Sequence, residues 1–579
     1  MAYQLARYPK TDMLARKDDG TWKHYSTQEV VDITRHFAAG LLSLGLGGEN
    51  NQVKIAVLSP NRPEWLLTDL ACQQSGAVLA PIYPTISESE LQFVLHDSGA
   101  QAVFVSDRHM LEKVRLIRSE LPQLREIFTY DREEGARHWS ELPAMATPET
   151  LASVEAISKG ITPDHLLTII YTSGTTGTPK GVMLTHRNVL SNVLACIPYL
   201  PVSPEARALS FLPLNHIFER MVSYVYLTAG VSIYYAESME TIADNLREVK
   251  PGIFTTVPRL LEKVYEKIMA KGLELRGIKR ALFFWAVNLG KEYELNRPLS
   301  FWYRLQLAIA NRLVFSKWRE ALGGNIKCIV TGAAACQVRL LRIFTAAGMP
   351  ILEGYGLTET SPVIAVNRFE AADRMFGTVG PLITDIQVQI APDGEILCKG
   401  PNVTIGYYNR PDLTAEAIHD GWFHTGDIGT LVDGRFLKIT DRKKEMFKTS
   451  GGKFVAPQPV ENKFKESPYI EQIMVVGADR KFTAALIVPN FKNLEDWCRR
   501  QGLEFGSHEQ VIKYHPVVEL FKQAVDKYNQ FFNHIDQVKK FRLLPQEWTV
   551  AGGELTPTLK LKRRVISDKY ADEIEQIYS

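Results

Sequence analysis

The chain has 579 residues and a formal net charge of +2 at pH 7; 45% of its residues are hydrophobic and 23% are charged. This length exceeds that of a single core and indicates two or more domains, and the composition is ordinary for a globular enzyme. The small net charge gives no argument for a nucleic-acid partner.

The cysteines and the first residues favour a cytoplasmic location. Six cysteines are scattered along the chain without a Cys-x-x-Cys pair, which argues against a zinc site or a disulfide framework. The N-terminus lacks the apolar core of a signal peptide, and no apolar run is long enough to span a bilayer. We therefore expect a protein of a reducing compartment.

Strand and helix patterns alternate through residues 1–165. A capping box formed by Ser26 and Glu29 opens an amphipathic helix that extends to about residue 44. The pattern then predicts strands at 53–58, 77–83 and 102–106, separated by helices at 63–74 and 87–97. Such alternation predicts a parallel, layered α/β sheet.

A loop rich in glycine and hydroxyl groups, YTSGTTGTPKG, occupies residues 171–181. It follows an apolar run at 166–170 that reads as a buried strand, and it precedes a helix that starts near Thr185. Its backbone N–H groups, its hydroxyls and Lys180 could cradle a polyphosphate. Composition alone would also fit a flexible surface loop. Pro179 replaces a glycine of the GxxxxGK[ST] pattern, which disfavours a P-loop kinase or GTPase.

Further strands are predicted at 209–214, 253–257, 327–331 and 350–354. His216 follows the first of them, where a histidine is often a structural residue. Residues 273–322 are rich in aromatic residues interleaved with lysine and arginine. We expect two amphipathic helices packed on the main domain there, with a membrane-surface role as the alternative.

The pattern changes beyond residue 380. Asp-Gly turns predict hairpins at 386–399 and 431–439, hence a small β-rich subdomain. The run at 441–445, DRKKE, consists of charged residues that are poorly suited to a hydrophobic core, and it is expected to be a linker. A helix at 457–465 and an antiparallel pair at 473–476 and 484–488 then predict a small α+β domain.

Three motifs carry the remaining candidates. In EGYGLTET (353–360), Tyr355 offers a flat face for adenine, while Thr358 and Glu359 offer oxygen ligands for Mg²⁺. In DGWFHTGD (420–427), Asp427 could accept both hydroxyls of a ribose. The third motif is TPTLKLKRR (556–564). Taken singly, Tyr355 would more often be a core residue and the Thr358-Glu359 pair a helix cap. Asp427 would more often be a turn residue, and the third motif a solvated tail.

Together and in this order, loop 171–181 and these motifs resemble the signatures of adenylate-forming (AMP-binding) enzymes. The segment Phe218-Glu219-Arg220, the aromatic insertion and the string 420–457 are similar to those of long-chain fatty acid–CoA ligases. The resemblance implies an N-terminal adenylation domain (1–440) of layered α/β subdomains plus the β-rich subdomain. A hinge (441–445) and a mobile α+β C-terminal domain (446–579) would follow.

The implied activity is ATP-dependent ligation of a fatty acid, by preference long-chain, to coenzyme A through an acyl-adenylate, with release of pyrophosphate and AMP. The resemblance implies catalytic roles for Lys562, Thr172, His216 and Glu359, and Mg²⁺ ligation by Thr172 and Glu359. It implies contacts with ATP or coenzyme A for a larger set: Thr172, Ser173, Gly174, Thr175, Thr176, Gly177, Lys180, Gly332, Ala333, Glu353, Gly354, Tyr355, Gly356, Thr358, Asp427, Arg442, Lys444, Gly451, Gly452 and Lys453.

The choice of catalytic lysine depends on how the last motif is aligned. The family's form is Pro-Lys-Thr, two residues, then Gly-Lys, and counting from Thr558 gives Lys562, with Leu561 in place of the glycine. Lys560 leaves an alternative open. In the family, a rotation about the residue that corresponds to Lys444 removes this lysine and brings the segment 451–453 towards coenzyme A.

Two alternatives accompany this reading. One is an adenylating ligase for an aryl or short acid, or one that loads a carrier protein. The other is a catalytically dead lipid-binding protein of the membrane surface, against which intact Lys180, Glu359, Asp427 and Lys562 argue. Homodimerisation and peripheral contact with the cytoplasmic face of a membrane stay open.

Overall fold

The computed structural model describes residues 2–49, 53–173, 179–295, 297–556 and 559–579. Within these ranges the N-terminal part contains two eight-stranded sheets. The first is parallel except at its two edges, and its strands run in the order Val363–Val366, Ile351–Gly356, Cys328–Thr331, Ile253–Thr256, Arg207–Ser210, Ser232–Tyr235, Leu14–Asp18 and Thr21–Tyr25.

The second sheet contains the strands around the glycine-rich loop. Its order is Gly406–Tyr407, Pro179–Thr185, Leu166–Ser173, Val78–Ile82, Lys54–Leu58, Ala100–Val105, Glu126–Thr129 and Arg137–His138, and the pairings among the first three strands are antiparallel. Ser173 pairs with Pro179 across the loop. The strands on either side of the candidate phosphate loop therefore pair as a hairpin, and the helix His186–Cys196 starts only after the second of them.

Helices cover these sheets at the positions that the alternating pattern predicts. The helix Thr27–Ser43 begins with the expected capping box of Ser26 and Glu29. The other helices of this part are Ala2–Arg7, Pro63–Ser75, Glu88–Ser98, Arg108–Ile117, Glu141–Ala144, Pro148–Gly160, His186–Cys196, Ile217–Ala229, Ile242–Val249, Val338–Ala346 and Pro411–Ala417. The predicted layered α/β class is confirmed.

Residues 258–321 form a helical segment on the first sheet, built from Pro258–Glu274, Gly277–Lys291, Phe301–Ala310, a π-helical turn Asn311–Phe315 and Ser316–Ala321. Phe283, Phe315 and Trp318 are buried in a cluster with Phe344 of the main domain. The predicted packing of this segment on the main domain is therefore confirmed. Among the described residues, no helix combines the length and the apolar character that crossing a bilayer requires.

The β-rich subdomain is a five-stranded sheet that contains Gln387–Ile390, Glu395–Lys399, Trp422–Val432, Ile418–His419 and Phe436–Arg442. The second predicted hairpin is longer than expected, because its first strand begins at Trp422. Buried Ile396, Phe423 and Leu437 supply the core side chains of this sheet. The sheet presents Asp427 and Arg442 opposite each other on neighbouring strands.

The C-terminal part has a hydrophobic core of its own, centred on residues such as Phe464, Leu486 and Trp548. A small hairpin, Phe447–Lys448 with Phe454–Val455, precedes a three-stranded sheet of Ile470–Val476, Ala484–Pro489 and Lys540–Leu543. The helices are Pro457–Phe464, Phe491–Arg500, His508–Val511, His515–Asn529, Arg563–Lys569 and Ala571–Tyr578. This arrangement agrees with the predicted α+β composition.

The run 441–445 differs from the solvated linker that its charges predict. Asp441 and Arg442 end the strand Phe436–Arg442, and Asp441 is only 1% exposed. Burial raises the pKa of Asp441 to about 7, although its carboxylate accepts hydrogen bonds from the backbone N–H groups of Arg442 and Gln458. The expectation that this run is poorly suited to a core was therefore wrong for Asp441, because helix Pro457–Phe464 covers it.

Candidate active site

Lys180, Glu359 and Tyr407 form one end of the site. Lys180 is the second residue of the strand Pro179–Thr185, Glu359 lies in the 3-10 turn Thr358–Thr360, and Tyr407 comes from the edge strand Gly406–Tyr407. The Lys180 ammonium donates to Glu359 Oε1 at 2.9 Å and to the Tyr407 hydroxyl at 2.6 Å, and that hydroxyl donates to Glu359 Oε1 at 2.8 Å. The ammonium also lies 4.0 Å from the centre of the Tyr407 ring.

This end keeps a buried carboxylate ionised. Burial by itself would raise the pKa of Glu359, but the charge and hydrogen bond of Lys180, with the Tyr407 hydroxyl, hold it below its ordinary value. Thr172 stands opposite Lys180 in the hairpin. Within the part of the chain that the structure describes, the Thr172 hydroxyl is buried without a hydrogen-bond partner. These oxygens form an anionic, hard-donor site beside the loop.

Asp427 marks the other end. One of its oxygens accepts from the Tyr355 hydroxyl at 2.7 Å, and the other accepts from Arg442 Nε at 3.0 Å. Asp427 and Arg442 face each other across the paired strands, so the sheet register itself sets this contact. The carboxylate is buried and can accept further hydrogen bonds on its free lone pairs. The structure therefore brings three predicted nucleotide-binding residues together.

The glycines beside Tyr355 have a packing reason. A Cβ on Gly356 would lie 1.6 Å from the carbonyl oxygen of Pro362, and one on Gly354 would touch Val366 at 3.5 Å. The neighbouring strand Val363–Val366 therefore requires Gly356, independently of any ligand. The two glycines let Tyr355 lie at the edge of the sheet while the chain turns into Thr358.

The loop after strand Cys328–Thr331 lies next to Tyr355. Glu353 accepts a hydrogen bond from the Cys336 backbone N–H at 2.7 Å, and its burial raises its pKa to about 8. Ala333 adopts a left-handed backbone with φ +68°, and Gly332 passes close to Gly354. Glu353 thus anchors the loop that carries Gly332 and Ala333, instead of presenting a free charge to a ligand.

His216 caps helix Ile217–Ala229, because its Nδ1 accepts from the Phe218 backbone N–H at 3.1 Å. Burial, together with the nearby charge of Lys560, lowers its pKa to about 4, so the ring is neutral near pH 7. The structural role that a histidine in this position often has is therefore present. The effect of Lys560 on this pKa places His216 near that lysine.

Lys560 lies within electrostatic range of both carboxylates of the site. Burial, reinforced by the charge of Arg442 and opposed by Asp427, Glu445 and Glu359, lowers the pKa of the half-buried Lys560 to about 8. These neighbours come from both ends of the site. Lys562 instead stands at the start of helix Arg563–Lys569, with its backbone N–H on the Glu554 carbonyl. The assignment of the catalytic position to Lys562 stays a prediction, and the position of Lys560 favours the alternative that the alignment left open.

The backbone geometry supports the alignment that gives Lys560. Leu559 has φ +62°, a left-handed conformation that favours glycine, and it directly precedes Lys560. Thr556 accepts a hydrogen bond from the Lys560 backbone N–H on its hydroxyl at 3.0 Å. Counting four residues from Thr556 gives Lys560, with Leu559 in the glycine position. Thr558, from which the sequence alignment started, lies outside the described residues.

The remaining predicted residues lie elsewhere or are not described. Gly451, Gly452 and Lys453 form an exposed turn in which the Lys453 carbonyl accepts from the Thr449 N–H at 3.0 Å. The structure does not enclose them with the carboxylates. Of the loop residues, Gly174, Thr175, Thr176 and Gly177 lie outside the described residues, and for Ser173 only the backbone is described.

Lys444 lies at a boundary between two sets of contacts. Before it, Lys443 forms ion pairs with Asp393 at 2.6 Å and Glu395 at 2.9 Å, both in the β-rich subdomain. After it, Glu445 accepts from Arg563 at 2.9 Å and from Gln458 at 3.1 Å, both in the C-terminal part. Lys444 itself is exposed. The residue before Lys444 is thus held by the β-rich subdomain, and the residue after it is held by the C-terminal part.

Sequence reasoning missed Tyr407 and the ion pairs of Lys443. Tyr407 lies 227 positions after Lys180, and the two side chains meet only because strand Gly406–Tyr407 joins the edge of the hairpin sheet. A local motif could not reveal such a contact. Asp393 and Glu395 flank an Asp-Gly turn, a setting in which charged residues are usually solvated.

Comparisons with known proteins identify the family of the chain. The profile of the AMP-binding enzyme family matches residues 1–408, and that of the AMP-binding enzyme C-terminal domain matches residues 445–579. The chain is 35% identical over 570 residues to the long-chain-fatty-acid–CoA ligase FadD15 of Mycobacterium bovis, covering 97% of this chain and 93% of that protein. It is 32% identical to human long-chain-fatty-acid–CoA ligase 1, covering 98% and 84%.

The fold has solved counterparts as well. The crystal structure of the anthranilate CoA ligase AuaEII in complex with anthranoyl-AMP superposes with a TM-score of 0.73 at 16% identity, covering 98% of this chain and 96% of that one. At this identity the likeness concerns the fold alone. The sequence matches extend over nearly the whole chain, and on that basis the chain belongs to the AMP-binding enzyme family.

Proposed function

We propose that the protein ligates a long-chain fatty acid to coenzyme A in two steps that consume ATP. The observation that carries this proposal is the position of Lys560, whose charge acts on Asp427, Glu359 and His216 at once. A cation between a candidate ribose site and a candidate polyphosphate site suits attack at the α-phosphate. The names of the relatives in Mycobacterium bovis and human support the long-chain fatty acid as substrate.

In the first step, a carboxylate oxygen of the fatty acid attacks the α-phosphorus of ATP. The bond to the bridging oxygen breaks, and pyrophosphate leaves with the electron pair, which gives an acyl-adenylate. Asp427 would accept the ribose hydroxyls, Tyr355 would stack on adenine, and Lys180 would pair with the outer phosphates. Lys560 would balance the charge that develops on the α-phosphate. Neutral His216 would border the acyl end without adding a charge.

The residues present fit Mg²⁺. The Thr172 hydroxyl is buried without a partner among the described residues, and the Glu359 carboxylate is held ionised. Mg²⁺ prefers such oxygen ligands and takes only a few from protein where phosphates provide others. Thr172 and Glu359 would hold the ion, which would neutralise charge on the phosphates when bound. Lys180 would then leave Glu359 for a phosphate.

In the second step, the thiol of coenzyme A attacks the acyl carbon and loses its proton, the bond to the phosphate oxygen breaks, and AMP leaves. Lys560 fills the site in the present arrangement, so entry of the thiol requires the C-terminal part to move. The contacts on either side of Lys444 support it as the pivot, with 1–440 and 446–579 as the bodies that would move. Rotation would bring Gly451, Gly452 and Lys453 towards coenzyme A.

A substrate screen tests the proposal. Purified enzyme with ATP, Mg²⁺ and coenzyme A is offered palmitate, octanoate or benzoate, and pyrophosphate, AMP and thioester are quantified. We expect stoichiometric formation of all three, with the highest kcat/KM for palmitate. Preference for benzoate or octanoate would indicate a ligase for another acid. Acid-dependent pyrophosphate release without thioester would favour loading of a carrier protein, and no pyrophosphate at all would indicate a lipid-binding protein.

The compartment follows from the chemistry of the cysteines. All six are free and buried, and so can remain thiols in a reducing environment. This supports the cytoplasm as the place of the reaction, where ATP and coenzyme A are available.

A further inference from the structure

Helix Phe301–Ala310 exposes apolar side chains on its outer side. Phe301 and Trp302 are 71% and 70% exposed, and Leu305, Ile309 and Leu313 continue the same stripe at intervals of about four residues. We call these five residues the apolar face. The opposite side packs on the protein, where Ala310 and Val314 are buried and the Tyr303 hydroxyl donates to the Leu289 carbonyl at 2.8 Å. Only one side of this helix is therefore packed against the rest of the protein.

The sequence around the apolar face is strongly basic. Residues 297–319 contain five basic residues and no acidic one, namely Arg297, Arg304, Arg312, Lys317 and Arg319. The neighbouring stretch 275–291 contains four basic residues and again no acidic one. The chain as a whole has a net charge of only +2, so these two stretches concentrate positive charge. Arg304 and Arg312 are exposed and flank the apolar face on the helix.

We propose that the apolar face docks the protein on the surface of an anionic membrane. An exposed apolar stripe with basic flanks matches helices that lie in the plane of the interface, and tryptophan is enriched at that depth. Basic side chains beside the stripe gain energy from anionic headgroups. A second copy of the chain fits less well, because two such surfaces would face each other with charges of one sign.

The proposal is independent of the chemistry assigned to Lys560 and can be tested without substrates. Full-length protein is sedimented at low salt with vesicles of phosphatidylcholine containing about one-third phosphatidylglycerol, or of phosphatidylcholine alone. We expect binding to the anionic vesicles and at least about tenfold weaker binding to the neutral ones. Raised salt should weaken the binding to anionic vesicles.

Two variants separate the apolar from the electrostatic part. Phe301→Ser/Trp302→Ser and Arg304→Glu/Arg312→Glu are each expected to weaken binding to anionic vesicles at least about tenfold. Matched controls change the same chemistry elsewhere: Leu190→Ser/Leu194→Ser removes another exposed apolar pair, and Arg500→Glu/Lys522→Glu reverses two exposed charges on the C-terminal part. Both controls should bind like the wild type, and melting temperatures show whether each variant is folded.

Three results would overturn the proposal. The wild type could remain in the supernatant with anionic vesicles, or folded variants and controls could bind equally well. Alternatively, the native mass could correspond to a dimer that Phe301→Ser/Trp302→Ser converts to a monomer, which would assign the apolar face to a second copy of the chain. None of these results depends on whether the protein ligates fatty acids.

Discussion

The two carboxylates of the candidate site and Lys560, its candidate catalytic lysine, are held in different ways. Glu359 and Asp427 each receive one tyrosine hydroxyl and one cation, from Tyr407 with Lys180 and from Tyr355 with Arg442. Most of these groups lie on paired strands of the N-terminal part. Lys560 lies on an irregular segment of the C-terminal part, after a residue with a left-handed backbone.

The difference indicates that nucleotide binding and adenylation depend on different parts of the chain. The N-terminal groups neutralise one another before any ligand binds, so their geometry is largely set in advance. The lysine reaches them only when the C-terminal part is docked in the present arrangement. The nucleotide site should therefore tolerate movement of the C-terminal part, whereas adenylation should not.

The largest expected effect comes from removing the lysine. Lys560→Ala should slow acyl-adenylate formation by about 10² to 10³-fold, the usual cost of one preorganised group at a developing charge. ATP affinity should change little, because Asp427, Tyr355 and Arg442 remain. Fatty-acid-dependent release of pyrophosphate in a single turnover measures the first effect, and calorimetric titration of ATP measures the second.

Lys562→Ala is the matched control, since it removes the neighbouring cation from the same segment. Lys562→Ala should retain adenylation within about twofold of wild type. Lys562 stands at the start of a helix, where removal of a cation changes the stability of the helix only slightly. Both variants should convert pre-made acyl-adenylate to thioester at the wild-type rate. A large loss with Lys562→Ala and a small one with Lys560→Ala would restore the sequence-based alignment.

The sequence predicts the N-terminal half of the site better than the C-terminal half. Strand positions, the capping box of Ser26 and the motifs around Tyr355 and Asp427 are local signals, and the structure reproduces the predicted elements. The sequence favoured Lys562 over Lys560 because a leucine, Leu559, stands with a left-handed backbone where the family has glycine, and a φ angle cannot be read from a leucine. Asp441 and Tyr407 depend on packing between distant segments.

A smaller effect should appear in the pH dependence of the first step. Burial and the charge of Arg442 lower the pKa of Lys560 to about 8, and the ammonium form is the active one. The rate of adenylation should therefore be at its maximum below this pKa and fall as pH rises through it, by about fivefold between pH 8 and pH 9 and by about tenfold per pH unit above that. The value of kcat/KM for ATP reports the free enzyme and is the quantity to measure.

Lys560→Arg provides the control, because a guanidinium stays protonated throughout this range. Its lower rate should show no decline between pH 8 and pH 9. If the wild type and Lys560→Arg decline together, the titrating group is not Lys560.

The smallest effect concerns the contacts that dock the C-terminal part. Arg259 of helix Pro258–Glu274 pairs with Glu471 of strand Ile470–Val476, and Arg339 donates to the Glu466 carbonyl at 2.8 Å. These contacts join the two parts in the arrangement that places Lys560 in the site. An ion pair that is only partly buried contributes about 1 kcal/mol, so Arg259→Ala should slow adenylation about fivefold.

The expected change in the rate of the second step distinguishes this explanation from a loss of stability. Arg259→Ala weakens the docked arrangement without touching the site, so transfer of pre-made acyl-adenylate to coenzyme A should be unchanged or up to about fivefold faster. Arg499→Ala, which breaks an exposed ion pair with Glu495 within the C-terminal part, should alter neither step. Rapid-quench measurement of each half-reaction gives the two rates. Equal slowing of both steps by Arg259→Ala would mean that this ion pair stabilises the fold and does not select the adenylating arrangement.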